Sequence, residues 1–186
     1  MRKSSIFELL NLQSPVTGNK VILRPRRLED AIEEYRWRTD EELCRLDATV
    51  PLEVTFTEFR NRYAAEIEYP GLTYTLAIDT FANKHIGNCS LFNLDFANNN
   101  AEVGLMIGEK IYWDQGYGSD ALQTFLGHIF KHIDIGTILL RTLDWNKRAQ
   151  RCFLKAGFKP CGKMVKEDYN FVIMKIDCWQ VTGKDQ

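Results

Sequence analysis

Apolar and polar positions repeat along this chain with two different periods, and the switches between them mark out its elements. Ala121, Leu122, Phe125, Leu126, Ile129 and Phe130 recur at i, i+1, i+4, i+5, i+8 and i+9, one apolar stripe of a helix. Gln123, Thr124, His128, Lys131 and His132 fall on the opposite face, which the pattern assigns to solvent. Ser119 and Asp120 suit the first turn of this helix, and Gly136 ends the run. A second stripe, Phe59, Tyr63, Ala64 and Ile67, predicts a helix over about 57–68, closed by Tyr69-Pro70-Gly71. Two further helices are predicted, one from about Leu28 to Thr39 and one opening at Asn146 and capped by Gly157.

Short β-branched runs between these helices read as strands. They are Val21 to Arg24, Leu72 to Ile78, His85 to Phe96, Ala101 to Ile107, Thr137 to Leu143, and two closing strands near 158–164 and 169–176. Asp79 to Lys84 is a hairpin-length connection, and Asn98-Asn99-Asn100 is a turn. The sum is one α/β domain over 1–186, with a lead-in (1–19), a core (20–177) and a tail (178–186).

The stretch between Ile107 and Ala121 carries the chemistry. Gly116-Tyr117-Gly118 feeds straight into the best-patterned helix, so free backbone N–H groups and the positive end of a helix dipole meet at one spot; the pattern reads either as an anion site or, for a glycine pair alone, as a plain strand-to-helix turn. A Walker loop is excluded because no Lys-Ser or Lys-Thr follows the glycines. Gly116-x-Gly118-x-x-Ala121 fits the dinucleotide fingerprint by letter. That motif wants a tight strand-to-glycine turn and further βαβ units, and neither is present.

Residues 107–121, Ile-Gly-Glu-Lys-Ile-Tyr-Trp-Asp-Gln-Gly-Tyr-Gly-Ser-Asp-Ala, resemble motif A of the GNAT N-acetyltransferases. They are most similar to the branch that includes the ribosomal-protein N-terminal acetyltransferases, the RimJ/RimL type. A second block, Asn146-Lys147-Arg148-Ala149-Gln150-Arg151-Cys152-Phe153-Leu154-Lys155-Ala156-Gly157-Phe158, resembles the family's Asn-x-x-Ala-x-x-x-Tyr-x-Lys-x-Gly-Phe. The resemblance implies a GNAT-type fold: a mixed, mostly antiparallel sheet flanked by helices and splayed where acetyl-CoA binds. It implies direct transfer of acetyl from acetyl-CoA to a primary amine, on a protein N-terminus or a small molecule. The rival reading is a non-catalytic acyl-CoA-binding module.

By the same resemblance, Gln115, Gly116, Tyr117, Gly118 and Ser119 would offer amides to the coenzyme's diphosphate. Leu105, Met106 and Ile107 would pair with the pantetheine arm as with an added strand. Asn146 matches a position that contacts that arm, and an Asn there also serves as a helix N-cap. Glu102 is the candidate general base, acting through water, on the strand face it shares with Gly104 and Met106. Two positions depart from the family pattern. Trp113 replaces the usual Arg or Gln, leaving Lys110, Arg148 or Arg151 to supply a cation. Phe153 replaces the Tyr that protonates the leaving thiolate and would pack against the arm, leaving Tyr112, Tyr117, Tyr169 or water as the acid. The aromatics Tyr35, Trp37, Phe56, Phe59 and Tyr63 would be mostly core, with some lining the amine site.

Composition narrows this picture without redirecting it. The 186 residues carry a net charge of −1, giving no reason to expect nucleic acid or an anionic membrane as partner. Five cysteines without a close pair read as reduced thiols, and with no secretory signal in view the expectation is a cytoplasmic protein. Cys152 reads as a packing residue. Three scattered histidines suggest no metal site, and a homodimer is left open.

Overall fold

The computed structural model describes residues 15–182, so the first part of the lead-in and the end of the tail lie outside it. One sheet of eight strands organises the chain: β1 (Val16–Thr17), β2 (Val21–Pro25), β3 (Tyr74–Thr80), β4 (His85–Asp95), β5 (Asn100–Ile107), β6 (Thr137–Leu143), β7 (Lys159–Lys166) and β8 (Tyr169–Asp177). Their spatial order is β1-β2-β3-β4-β5-β6-β8-β7. Every neighbouring pair is antiparallel except β5 and β6.

That one parallel pair is short. Asn100, Ala101 and Glu102 pair with Thr137, Ile138 and Leu139, and there the two strands part. Beyond the fork Val103 to Ile107 pair only with β4, and Leu140 to Leu143 only with β8. Two strand edges therefore face each other across a gap.

The helices are α1 (Ala31–Thr39), α2 (Glu41–Leu46), α3 (Phe56–Glu68), α4 (Tyr117–His132), α5 (Lys147–Lys155) and α6 (Cys178–Thr182). Helix α4 lays its apolar stripe on one face of the sheet. Leu122, Phe125 and Leu126 are fully buried against Tyr74, Leu76 and Leu91, and the rings of Tyr74 and Phe125 stack 5.9 Å apart. Burial of this kind is worth about 1.5–3 kcal/mol per large side chain, so this stripe anchors the helix that carries the glycine loop. The opposite face of the sheet meets α1 and α3, whose aromatic side chains form a ladder: Tyr35 with Phe56 and Phe59, and Phe59 with Tyr63. Trp37 and Tyr63 are buried in that layer.

Several boundaries differ from expectation. α4 ends at His132, because Ile133 is already extended (φ −123°) and turns inward to a buried position. His128, assigned to solvent by the pattern, is buried with its ring 4.5 Å from that of His132. Helix α2 was missed, although Asp40 caps it by accepting from the Leu43 amide at 2.9 Å and Glu41 and Glu42 occupy its first turn. Strand β3 begins two residues later than expected, leaving Leu72 exposed. Part of the expected tail forms α6, which packs back towards α4. Among the described residues no helix is long and apolar enough to cross a membrane, and no two cysteines are joined in a disulfide.

Candidate functional site

The gap beside β5 is continued by the start of α4. Gly116 is the N-cap and adopts φ +85°, a left-handed conformation that an L side chain resists. The Asp120 amide makes the first helical bond, to the Gly116 carbonyl at 3.0 Å, which leaves the amides of Tyr117, Gly118 and Ser119 without helical partners. Gly118 is needed for a different reason: a Cβ there would lie 3.0 Å from Cys152 Sγ and 3.4 Å from Leu105. The first turn of α4 thus sits tightly between β5 and α5.

Asp120 fixes this turn to the far end of the sheet. Its buried carboxylate accepts from the amides of Asn19 (3.0 Å), Lys20 (2.8 Å) and Val21 (3.2 Å), and from Asn19 Nδ2. Four bonds across about a hundred residues of sequence hold the amide cradle against the β1–β2 turn.

A cavity of about 160 Å³ runs along the free edge of β5 and into this cradle. Of the residues expected from sequence, Leu105, Met106, Ile107, Gly116, Gly118, Ser119, Asn146 and Phe153 line it, while Gln115, Tyr117 and Glu102 do not. Gln115 is exposed, and its side-chain amide donates to the Ile111 carbonyl. Tyr117 packs edge-on to Tyr112, 5.0 Å away, and Tyr112 does line the cavity. Asn146 Oδ1 accepts from the Ala149 amide at 3.2 Å, so the cap is made and the Nδ2 group is left for other partners. Phe153 is buried beside Phe158.

The departure at Trp113 has a local logic. Its indole Nε1 donates to the Ile107 carbonyl at 2.6 Å, so one of the two lone pairs of that carbonyl is already used. The Arg148 guanidinium lies over the indole ring, 3.3 Å from its centre, and burial pulls its pKa down from the ordinary value, although an arginine keeps its charge. Of the other two cations considered, Lys110 is taken by Asp40 (2.9 Å) and Glu42 (2.8 Å), and Arg151 lies 3.6 Å from Asp114. Burial pushes the Cys152 thiol up to about 11, so it stays protonated at neutral pH.

Glu102 stands at the fork itself, on the sheet face away from α4. Its carboxylate accepts from Arg141 Nη2 at 2.6 Å and Asn93 Nδ2 at 3.2 Å. Asn93 reaches it because β4 carries a bulge between Phe92 and Asp95, with Asn93 itself at φ +50°. Arg141 and Asn93 were missed in the sequence. The available signal was a single charge inside the otherwise uncharged strand Thr137 to Leu143. Leu43 and Leu46 of α2, which line the cavity, were missed together with their helix. Among the described residues no group of three or more His, Cys, Asp or Glu side chains could hold a metal ion.

A sheet split at its one parallel pair, with bare helix amides beside the split, defines an α/β domain built to take an extended ligand ending in an anion. The chain belongs to the GNAT acetyltransferase family, whose acetyltransferase (GNAT) domain profile matches residues 20–159. No protein of curated function is significantly similar in sequence. Among solved structures, a GNAT-family acetyltransferase from Bacillus anthracis is similar with a TM-score of 0.73 at 16% identity, over 89% of this chain and 99% of that one. The spermidine N-acetyltransferase from Vibrio cholerae, solved with CoA and spermine, gives 0.76 at 17%, over 87% and 97%. An aminoglycoside acetyltransferase solved with coenzyme A gives 0.72 at 16%, over 88% and 99%. At these identities the likeness speaks for the fold.

Proposed function

We propose that this protein transfers acetyl from acetyl-CoA to a primary amine, directly and without an acyl-enzyme intermediate. The observation that carries the proposal is the open edge of β5 running into three unpartnered helix amides. The residues present fit the coenzyme. The main chain of Leu105 and Met106 would pair with the amides of the pantetheine arm. The amides of Tyr117, Gly118 and Ser119 would meet the diphosphate, with Arg148 as the nearby cation. Asn146 Nδ2 and the ring of Phe153 would flank the arm. Acetyl-CoA would supply the activated acyl group as its thioester.

The chain's own part in the reaction is to orient the acceptor and to take a proton. Glu102 accepts one proton from the acceptor ammonium, through water. The nitrogen lone pair then forms the new C–N bond, and the C–S bond of the thioester breaks with its electrons on sulfur. The second nitrogen proton passes to water as the amide forms, and water returns one proton to the departing thiolate, since Phe153 has no proton to give. The protonated Cys152 thiol supports direct transfer, because it offers no thiolate to capture the acetyl group. The α-amine of a protein or peptide, with a pKa near ~8, costs only about 1 kcal/mol to deprotonate at neutral pH, against about 4 kcal/mol for a lysine-type amine. The resemblance of residues 107–121 to the ribosomal-protein N-terminal acetyltransferases also favours an α-amine.

Calorimetry with acetyl-CoA, followed by thiol release with a panel of amines, tests the proposal. Saturable binding with amine-dependent release is expected. Binding without release across the panel would favour the acyl-CoA-binding module instead.

A further inference from the structure

The fork between β5 and β6 carries an ion pair that the acetyl-transfer reading uses only in half. Glu102 and Arg141 reach toward each other where the two strands part, from the sheet face that α4 does not cover. Their side chains keep 20% and 34% of their exposure. The guanidinium has five N–H donors, yet its contacts are Glu102 Oε2 and, from Nη1, the weakly accepting Met164 Sδ at 3.7 Å. The site is also built. The β4 bulge and the left-handed Asn93 bring a second donor to Glu102, and the Phe92 ring stands beside side-chain-free Gly104, making an apolar wall next to the two charges.

We infer that Arg141 is a specificity-determining residue for an acceptor bearing a carboxylate next to its amine, such as a free α-amino acid, whose ammonium goes to Glu102 and whose carboxylate goes to Arg141. The inference rests on the acetyl-transfer reading above. An ion pair this exposed is weak and opens readily. A zwitterion entering it exchanges one pair for two, and no charge is left alone. A polyamine would instead bring its second cation up to the guanidinium, which disfavours it. The carboxamide of the same amino acid loses the carboxylate that Arg141 would hold and carries the more acidic ammonium, so an advantage of the acid is not owed to easier deprotonation.

Matched acceptors test this without any mutation: a free α-amino acid with an apolar side chain, its carboxamide, a dipeptide and spermidine. Each is measured by thiol release and by calorimetry on the CoA-saturated protein. The acid is expected to exceed its carboxamide about tenfold or more in kcat/KM, mostly through KM, as a charge-assisted bond would give, with spermidine last. Arg141→Gln should bring the acid-to-carboxamide ratio close to one, and Arg141→Lys should keep part of it. Equal use of acid and carboxamide, a preference for the dipeptide or spermidine, or an unchanged ratio in Arg141→Gln overturns the inference while acetyl transfer stands. Acetyl-CoA binding with no release from any amine overturns the transfer reading and this inference with it.

Discussion

Two arginines on this sheet are each paired to carboxylates at hydrogen-bonding distance, and their surroundings differ in nearly every other respect. Arg24, on β2, is buried, and its N–H groups are all spent: Nε and Nη2 on Asp79 (2.6 and 3.0 Å), Nη1 and Nη2 on Asp30 (2.8 and 2.7 Å), and Nη1 again on the Pro25 carbonyl (3.1 Å). Asp30 in turn accepts the Arg27 amide at 2.7 Å and so starts the turn into α1. Arg141, on β6, has one strong acceptor and stands at a gap. A charge whose bonds are complete holds elements together, whereas one whose bonds are incomplete beside open space can receive a ligand.

The largest expected effect breaks the complete cluster. Arg24→Met would strand two buried carboxylates, at a cost of about 3–5 kcal/mol in urea unfolding, while Arg141→Gln should stay within about 1 kcal/mol of wild type. The pH dependence has a definite sign. Burial alone would raise the Asp30 carboxyl, but the bonds from Arg24 and the Arg27 amide hold it below 3.8. Its contribution is therefore present above pH 3.8 and lost as pH falls through the depressed value; in Arg24→Met burial without that bond raises the same carboxyl, so the gap between wild type and variant should begin to narrow above pH 3.8 and go on narrowing as pH falls to the depressed value. Equal losses for the two arginine variants would end the distinction.

At the incomplete pair, Glu102→Gln is expected to lower kcat about a hundredfold with little change in acetyl-CoA affinity, the usual size for removing a general base. Unchanged turnover would take the proton-transfer role away. A smaller effect is expected at the cradle. Arg148→Ala should weaken acetyl-CoA binding about tenfold by calorimetry, whereas Lys110→Ala, whose ammonium is already neutralised by Asp40 and Glu42, should change it little.

How much of this was legible beforehand follows from what each feature depends on. Helix α4, the glycine cradle and the strand before it were legible because an apolar stripe and a Gly-x-Gly at a helix start are local patterns. The family's two sequence blocks and the strand before the first named eight of the cavity's lining residues for the same reason. Partners from distant segments were not legible. The bonds of Asp120 to Asn19, Lys20 and Val21 cross about a hundred residues, and nothing near Asp120 distinguishes it from a first-turn acid. Arg141 meets Glu102 only because β6 parts from β5 after three paired residues. His128 misled because a polar side chain at a polar helical position is buried in the fold, which the periodicity of its own helix does not reveal.

Glu34, on α1, tests the middle of the comparison and carries the smallest expected effect. It is as buried as Arg24, but its carboxylate accepts from a neutral donor, Asn88 Nδ2, at 2.9 and 3.1 Å. Burial raises its carboxyl above 4.5, with the Asn88 bond pulling the other way. A carboxyl raised by folding contributes its stability fully below pH 4.5 and loses it as pH rises through the folded value, the reverse of Asp30. Glu34→Gln keeps an acceptor for Asn88 and removes the charge. The variant should therefore match wild type near pH 4 and be equal to it or up to about 1 kcal/mol more stable at pH 7, read from urea midpoints at the two pH values. If Glu34→Gln were instead less stable at pH 7 by more than that, the buried charge would be satisfied by its surroundings, and counting direct bonds would no longer separate the scaffold's charges from those of the site.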